Sequence, residues 1–425
     1  APAARGGAGG RAGCSSVAPP KMAGSALERL RRLAEQLGAG GGSPAAGRGA
    51  GRGVVLVGGA AVDVAARAAP SGCDHDGDPQ GSTAPGRVTF TPGGVARNVT
   101  ECLRRLDPRG RAAALPLLVA AVGDDAPGRF ILQGLEKLGL PARGVAVVPG
   151  GRTGIVAFVL DAGGGLLGGV ADLGAAQGAA SLGGAGVRAH RRAIEGAGAV
   201  CLDANLGTEA LAEAVGLAAA AGVPTWFEPV SRAKALAGVA LLGRLAFASP
   251  NEAEAIAMAC EADVKRAPAL RHLAEGSGDA PVPLEVLAAA AEVLVQRGLG
   301  CAIVTLGPRG VLWARREGGH AGGAVEVRRM AALPAAAGDV VSVSGAGDAL
   351  VAGALLRLQA GDGVAEALAF GQAAARQVVE TARNVPEKFD VARLTTDARA
   401  ALASQARLRP ADLSYRPEPS DLRYP

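Results

Sequence analysis

From residue 53 to about residue 395, short apolar runs alternate with stretches whose apolar positions recur every three to four residues. "GVVLVGGAAVDV", "LPLLVAAVG", "AGAVCLDANL", "GVPTWFEPV", "RLAFASPNEAEA" and "CAIVTLGPRGVLW" are of the first kind and predict buried strands. Residues 95–106, 128–139, 207–221, 252–260 and 284–298 are of the second kind and predict helices. The alternation predicts βαβ units: an α/β fold with a mostly parallel central sheet and helices on both faces. Two segments break the rhythm. "GRVTFTPGG" and "TGIVAFVLDAGGGLLGGVAD" read as strands joined by glycine turns, without helices. With residues 63–92 and 150–172 they predict a small antiparallel flap beside the main sheet. Ligands of open α/β folds bind beyond the carboxyl ends of the strands, where such a flap covers them.

The flanks differ in texture. Residues 1–52 hold one short amphipathic stretch, "SALERLRRLAEQLG", between glycine-rich runs, and predict a low-complexity tail or linker. Residues 396–425 end in the proline-rich "RLRPADLSYRPEPSDLRYP" and predict a second tail. The net charge of +5 owes much to arginine in the first 52 residues. Elsewhere both signs are interspersed, which is the texture of solvated faces and not of a nucleic-acid stripe. The first 27 residues carry Arg5, Arg11 and Lys21 and no acid. That resembles a mitochondrial transit segment, and a glycine/alanine/arginine tail has the same composition. Cys14, Cys73, Cys102, Cys201, Cys260 and Cys301 form no C-x-x-C pair, and the chain has 4 histidines, so a structural zinc site is not expected. Several of these cysteines sit in apolar runs as buried thiols, which suits a reducing, cytoplasmic setting. No uncharged apolar run is long enough to read as a membrane span.

Two glycine motifs carry the candidate chemistry. In "VVSVSGAGDALVAGALLRL" the residues Gly345, Ala346 and Gly347 stand at a loop-to-helix junction, with Asp348 in the first turn. Helix-start N–H groups attract anions, and small residues let a ligand reach them. Asp348 then reads in two ways: as a helix cap, or as a base taking a proton from a hydroxyl that attacks a phosphoryl group. The loop lacks the lysine of a Walker A motif. Far upstream, "FTPGGVARNVTECLRRL" places Gly93 and Gly94 before a helix that Arg97 and Asn98 open. A capped turn explains it, and so does an amide placed to bond vicinal hydroxyls. A dinucleotide-binding reading fails because no G-x-G-x-x-G follows the first strand. A transcription factor is excluded by the lack of a helix-turn-helix pattern or basic stripe.

In this order and spacing, "GGAAVDV", GG-x-x-x-N, "SPNEAEA", "TLGPRG" and GAGD resemble the ribokinase-like (PfkB-type) carbohydrate kinases over roughly residues 53–395. The resemblance implies a three-layer sandwich with a β flap, ATP and Mg²⁺ as cofactors, and a small sugar or nucleoside as acceptor. It implies that Asp63, described as ending the first strand, binds the sugar with Gly93, Gly94 and Asn98. Asn251 and Glu254 would arrange Mg²⁺ and phosphate, largely through water, in keeping with a cation that dehydrates reluctantly. Thr305, Gly307 and Gly310 would line the ATP site, with Asn384 at the adenine pocket. Gly345, Ala346 and Gly347 would form the anion hole beside the base, Asp348. Many members bind a monovalent cation through an aspartate six positions before the base. Ser342 stands there instead, so potassium activation is not expected.

The segment "GRVTFTPGGVARNV", with "DANL", "EPVSRAK" and "VSVSGAGDALVAG", is similar to the pseudouridine kinase branch, although Glu228 replaces the branch's usual aspartate. That likeness implies phosphorylation of the 5′-hydroxyl of pseudouridine. Ribose would sit on Asp63 and Asn98, and Thr153, Asp172, Asn205 and Lys234 are candidates for reading the base. Each has a plainer role: strand residue, turn, helix cap and solvated lysine. The likeness further implies a homodimer through the flap and a functional link to a pseudouridine-5′-phosphate glycosidase. Another ribonucleoside, ribose or fructose kinase is the alternative within the class. A non-catalytic nucleoside-binding regulator is the alternative outside it, and the presence of Asp348, Asn251 and Glu254 argues against it.

Overall fold

The computed structural model describes residues 52–68, 85–108, 114–161, 166–173, 179–276, 280–317, 323–335 and 338–411. The predicted helix in "SALERLRRLAEQLG" lies outside them. Among the described residues, strands β1 (Val54–Val57), β4 (Leu117–Gly123), β5 (Val145–Val148), β8 (Ala199–Asp203), β9 (Thr225–Glu228), β10 (Phe247–Ala248), β11 (Cys301–Thr305), β12 (Val311–Arg316), β13 (Val325–Met330) and β14 (Ala406–Leu408) form one sheet. Its order is β14-β13-β12-β11-β10-β9-β8-β1-β4-β5. It is parallel from β11 to β5 and antiparallel from β11 to β14. Successive residues of β1 serve opposite cores. Val55 and Val57 belong to the core that holds Leu211, Val215 and Leu294 on one face, while Val54 and Leu56 belong to the core of Val99, Leu103 and Leu355 on the other. Three layers result, as expected.

The principal helices are α1 (Val95–Leu106), α2 (Ala126–Lys137), α3 (Thr208–Ala221), α4 (Glu252–Ala262), α5 (Leu284–Gln296), α6 (Ala346–Gln359), α7 (Val364–Val379) and α8 (Val391–Ala403). The first five lie within two residues of their expected bounds. In α1, Val99, Cys102, Leu103 and Leu106 recur at helical spacing, and all are buried.

A second sheet has the order β3 (Gly86–Gly93), β2 (Ala61–Ala68), β6 (Gly154–Leu160), β7 (Leu166–Asp172). It is the expected flap, and its outer pairs are antiparallel. Its central pair, β2 with β6, is parallel. The reason is topological: β1 and β5 run the same way in the main sheet, and β2 and β6 follow them out over it.

Three boundaries differ from the sequence reading. "GVVLVGGAAVDV" is two strands in two sheets, so Asp63 lies within β2 and does not end β1. "CAIVTLGPRGVLW" is a hairpin, not one strand, turning at Gly307–Gly310. The fold runs past residue 395: α8 buries Leu394 and Ala401, and β14 pairs with β13. Composition suggested a tail there because the apolar residues are few, but they fall on one face.

Candidate active site

The two sheets are joined at glycines that leave no room for a side chain. Gly94 caps α1 with a φ of 92°, and a Cβ there would press on the Gly59 carbonyl. A Cβ on Gly93 would overlap the Asp63 carboxylate. Beneath them lies Asp203, 1% exposed at the end of β8. Its Oδ2 accepts the N–H groups of Gly59 at 2.8 Å and Ala96 at 2.9 Å, and its Oδ1 accepts that of Asn205 at 2.9 Å. Burial raises its pKa, and those N–H groups oppose the rise. Asp203 was missed by sequence reasoning. Its signal was a carboxylate closing a five-residue apolar strand.

Above this junction α1 and α6 meet. The Asn98 amide donates to Asp348 Oδ2 at 2.9 Å, across 250 positions of sequence. Burial drives the Asp348 pKa up to about 7; the Asn98 bond works against it, while Asp203 and Asp63 add to it. A carboxyl poised there suits a base working near neutral pH. Asp63 is also raised, chiefly by burial, with the Asn384 bond and Arg97 opposing.

Gly345 caps α6 in the left-handed region, with φ 80°, and a Cβ would overlap the Asn384 carbonyl oxygen. The first bond of α6 runs from Ala349 N to Gly345 O at 3.0 Å. The N–H groups of Gly347 and Asp348 therefore have no helical partner. Nothing lies within 4 Å of where a Gly347 Cβ would stand. Donors, a helix start and open space together make an anion seat beside the Asp348 carboxyl.

Asn384, expected at the adenine pocket, has its side chain in this cluster. Its Nδ2 donates to Asp63 Oδ2 at 2.5 Å, and its Oδ1 accepts from Ser344 Oγ at 2.9 Å. Ser342 accepts the Ser344 N–H through its Oγ at 3.2 Å.

On the far side of the site, Asn251 and Glu254 form a capping box at the start of α4. Asn251 Oδ1 accepts the Glu254 N–H, and Glu254 Oε2 accepts that of Asn251, both at 2.9 Å. Burial raises the Glu254 pKa, against the Asn251 bonds. Glu254 Oε1 accepts from no described protein group, so one carboxylate oxygen is left for water. That fits a Mg²⁺ held mostly by water and phosphate, and no group of three or more acidic, histidine or cysteine residues among those described offers a fuller cage. Asn251 bridges to Thr305, whose N–H bonds Pro250 O at 2.9 Å. Gly307 and Gly310 turn the chain there at φ 54° and 99°. Glu228, which replaces the branch's usual aspartate, accepts from Trp226 Nε1 at 2.8 Å and from Ser249 Oγ. Burial holds its pKa well above the carboxylate range.

The four candidate base readers divide. Lys234 Nζ donates to Asn205 Oδ1 at 2.6 Å, and Asn205 leans on Gly59. Asn205 follows closely on β8, and Lys234 follows a strained turn. Val230 has φ 67°, the one non-glycine residue with positive φ among the described residues, and Ser231 N–H bonds Pro229 O at 2.7 Å. A β-branched residue held there stores about 1–2 kcal/mol. Thr153 and Asp172 do not join them. Thr153 is 3% exposed and spent: Oγ1 donates to Asp125 at 2.6 Å and accepts from Gly123 N at 2.9 Å. Asp172 ion-pairs with Arg152 on the surface.

Comparison with known proteins agrees with this geometry. A family model described as "pfkB family carbohydrate kinase" matches residues 53–384. The chain is 29% identical over 351 residues to a pseudouridine kinase of Arabidopsis thaliana, covering 75% of this chain and 89% of that protein. It is 28% identical over 319 residues to a pseudouridine kinase of Escherichia coli, covering 75% and 88%. Among solved structures, Arabidopsis thaliana ribokinase complexed with ribose and ATP superposes with a TM-score of 0.62 at 21% identity, covering 82% of this chain and 99% of that one.

Proposed function

Because the chain belongs to the pfkB family of carbohydrate kinases, phosphotransferases that act on alcohol groups, we propose that it transfers a phosphoryl group from ATP to the 5′-hydroxyl of pseudouridine. The observation that carries the reading is the Asp348 carboxyl, held by Asn98 beside the open N–H groups at Gly347. Asp348 takes the hydroxyl proton, and the α6 N–H groups receive the oxygens of the phosphoryl group in transfer. Asp63 and Asn98 bind the ribose hydroxyls, with Asn384 orienting Asp63. Asn205 and Lys234 read the base, and both curated relatives are pseudouridine kinases. Glu254 and Asn251 would hold Mg²⁺ through water, and the ion would supply charge neutralisation at the phosphates. Thr305, Gly307 and Gly310 face the nucleotide.

The outer face of the flap supports a homodimer. Val88, Phe90, Val159 and Val170 are 59%, 63%, 52% and 72% exposed. The register puts Phe90 and Val170 in one row across the sheet and Val88 and Val159 in the next row on that face, opposite the face of Asp63. The product is the substrate of a glycosidase that cleaves pseudouridine 5′-phosphate.

The test is ATP consumption with Mg²⁺ across pseudouridine, uridine, cytidine, adenosine, ribose and fructose. Preference for pseudouridine is expected. Preference for a free sugar would discard the base-reading role of Asn205 and Lys234 and keep Asp348.

A further inference from the structure

Arg97 occupies a place that nothing in folding recommends. It stands in the first turn of α1, where the helix dipole disfavours a cation, and its side chain is 3% exposed. A buried guanidinium is costly unless every donor finds a partner. Glu101, one turn on, supplies the counter-charge. Such a buried pair is seldom more stable than an apolar pair of the same size. Another of its nitrogens is spent toward the site: Nη1 donates to Pro92 O and to Asn98 Oδ1, both at 3.1 Å.

The second bond decides which way the Asn98 amide faces. A guanidinium has donors only, so it must meet the amide oxygen. The amide nitrogen is then turned to Asp348 Oδ2. Flipped by half a turn, Asn98 would set an oxygen against that carboxylate and a nitrogen against the guanidinium. We propose that Arg97 is a positioning residue: anchored by Glu101, it locks the Asn98 amide so that its nitrogen holds Asp348 ionised and aimed at the acceptor hydroxyl. This deepens the kinase reading and rests on it.

The charge acts in the same sense. Asp348 is faced by Asp63 from β2, Asp203 from β8 and Glu228 from β9, all of which oppose its ionisation, and by Arg97, Asn98 and Cys102 from α1. Arg97 is the one cation among them.

The test is the double variant Arg97→Met/Glu101→Leu, which removes the pair together and strands neither charge. The acid limb of the kcat profile should move up by about one pH unit, a tenfold loss at low pH that fades above pH 9. A merely structural role would lower kcat equally at every pH, and an unmoved limb overturns the proposal. Should the double variant not fold, Arg97→Lys keeps the charge and a donor, and its limb should stay within about 0.3 unit of wild type. A displaced limb there overturns the proposal too. If the wild type phosphorylates no acceptor, the kinase reading has failed, and a carboxyl ¹³C titration of Asp348, assigned with Asp348→Asn, reads the same shift without turnover.

Discussion

Replacing Gly347 with alanine should separate stability from activity. Gly347 is the second residue of α6, outside the left-handed region, and its Cβ position meets nothing within 4 Å. A methyl group there costs no contact in the free protein. It removes backbone freedom from the unfolded chain and adds helix propensity, which together stabilise by about 0.4–1 kcal/mol. In a domain of this size that is a rise of about 1–2 °C in melting temperature. On the proposed function, the same methyl would stand in the space through which phosphoryl oxygens reach the N–H groups of Gly347 and Asp348. Losing one such donor costs roughly 10²–10³ in kcat. Differential scanning fluorimetry without ligands and initial-rate kinetics at saturating ATP give both numbers. A Gly347→Ala protein that melts no lower and turns over within threefold of wild type would refute the anion seat.

Gly345→Ala should behave oppositely. It forces a φ of 80° on a residue with a Cβ and overlaps the Asn384 carbonyl, so both stability and kcat should fall, with at least about 1–2 kcal/mol of stability lost. Asp348→Asn should lower turnover by roughly 10²–10⁴-fold while nucleoside binding persists. It should also change how stability depends on pH. Because the folded pKa of Asp348 lies near 7, above the 3.8 of a free aspartate, the wild type binds the extra proton when folded and loses stability as pH rises between those values. The melting temperature of Asp348→Asn relative to wild type should therefore climb from pH 5 to pH 8, and a flat difference would contradict the burial of this carboxyl. Asn98→Ala should raise the KM for the nucleoside and shift the acid limb of kcat upward, read by pH-dependent kinetics. Phe90→Glu should leave a monomer by light scattering with each site intact.

The elements were legible where local periodicity carried them. Helix α1 could be bounded because Val99, Cys102, Leu103 and Leu106 repeat on one face, and β4 because seven apolar residues run unbroken. The meeting of Asn98 and Asp348 followed only from family resemblance, since no local pattern links positions 250 apart. What stayed hidden was set by tertiary contact. Thr153 has the side chain of a base reader, but its one donor is committed to Asp125 and it accepts from Gly123. For Asn384 the family resemblance implied the adenine pocket, and its bond to Asp63, 321 positions away, had no local signal. Arg97 was quoted as part of a motif, and its role depends on which amide atom it touches. Asp203 looked like the end of any buried strand.

The Asp203 carboxylate has a mechanical consequence. The chain enters the flap through Gly59 and leaves it before Ala96, and one oxygen holds both crossings to the end of β8. A third crossing is held at Thr153, whose N–H bonds Asp125 Oδ2 at 2.8 Å. The flap is thus mounted on an axle with Asp203 at one bearing and Asp125 at the other. The far ends of β2 and β3, at Arg67 and Arg87, extend away from that line. Asn98 and Asp348 stand on helices α1 and α6, outside the flap. Covering a substrate and keeping the reacting groups in register would therefore fall to different elements, tied together by two buried carboxylates.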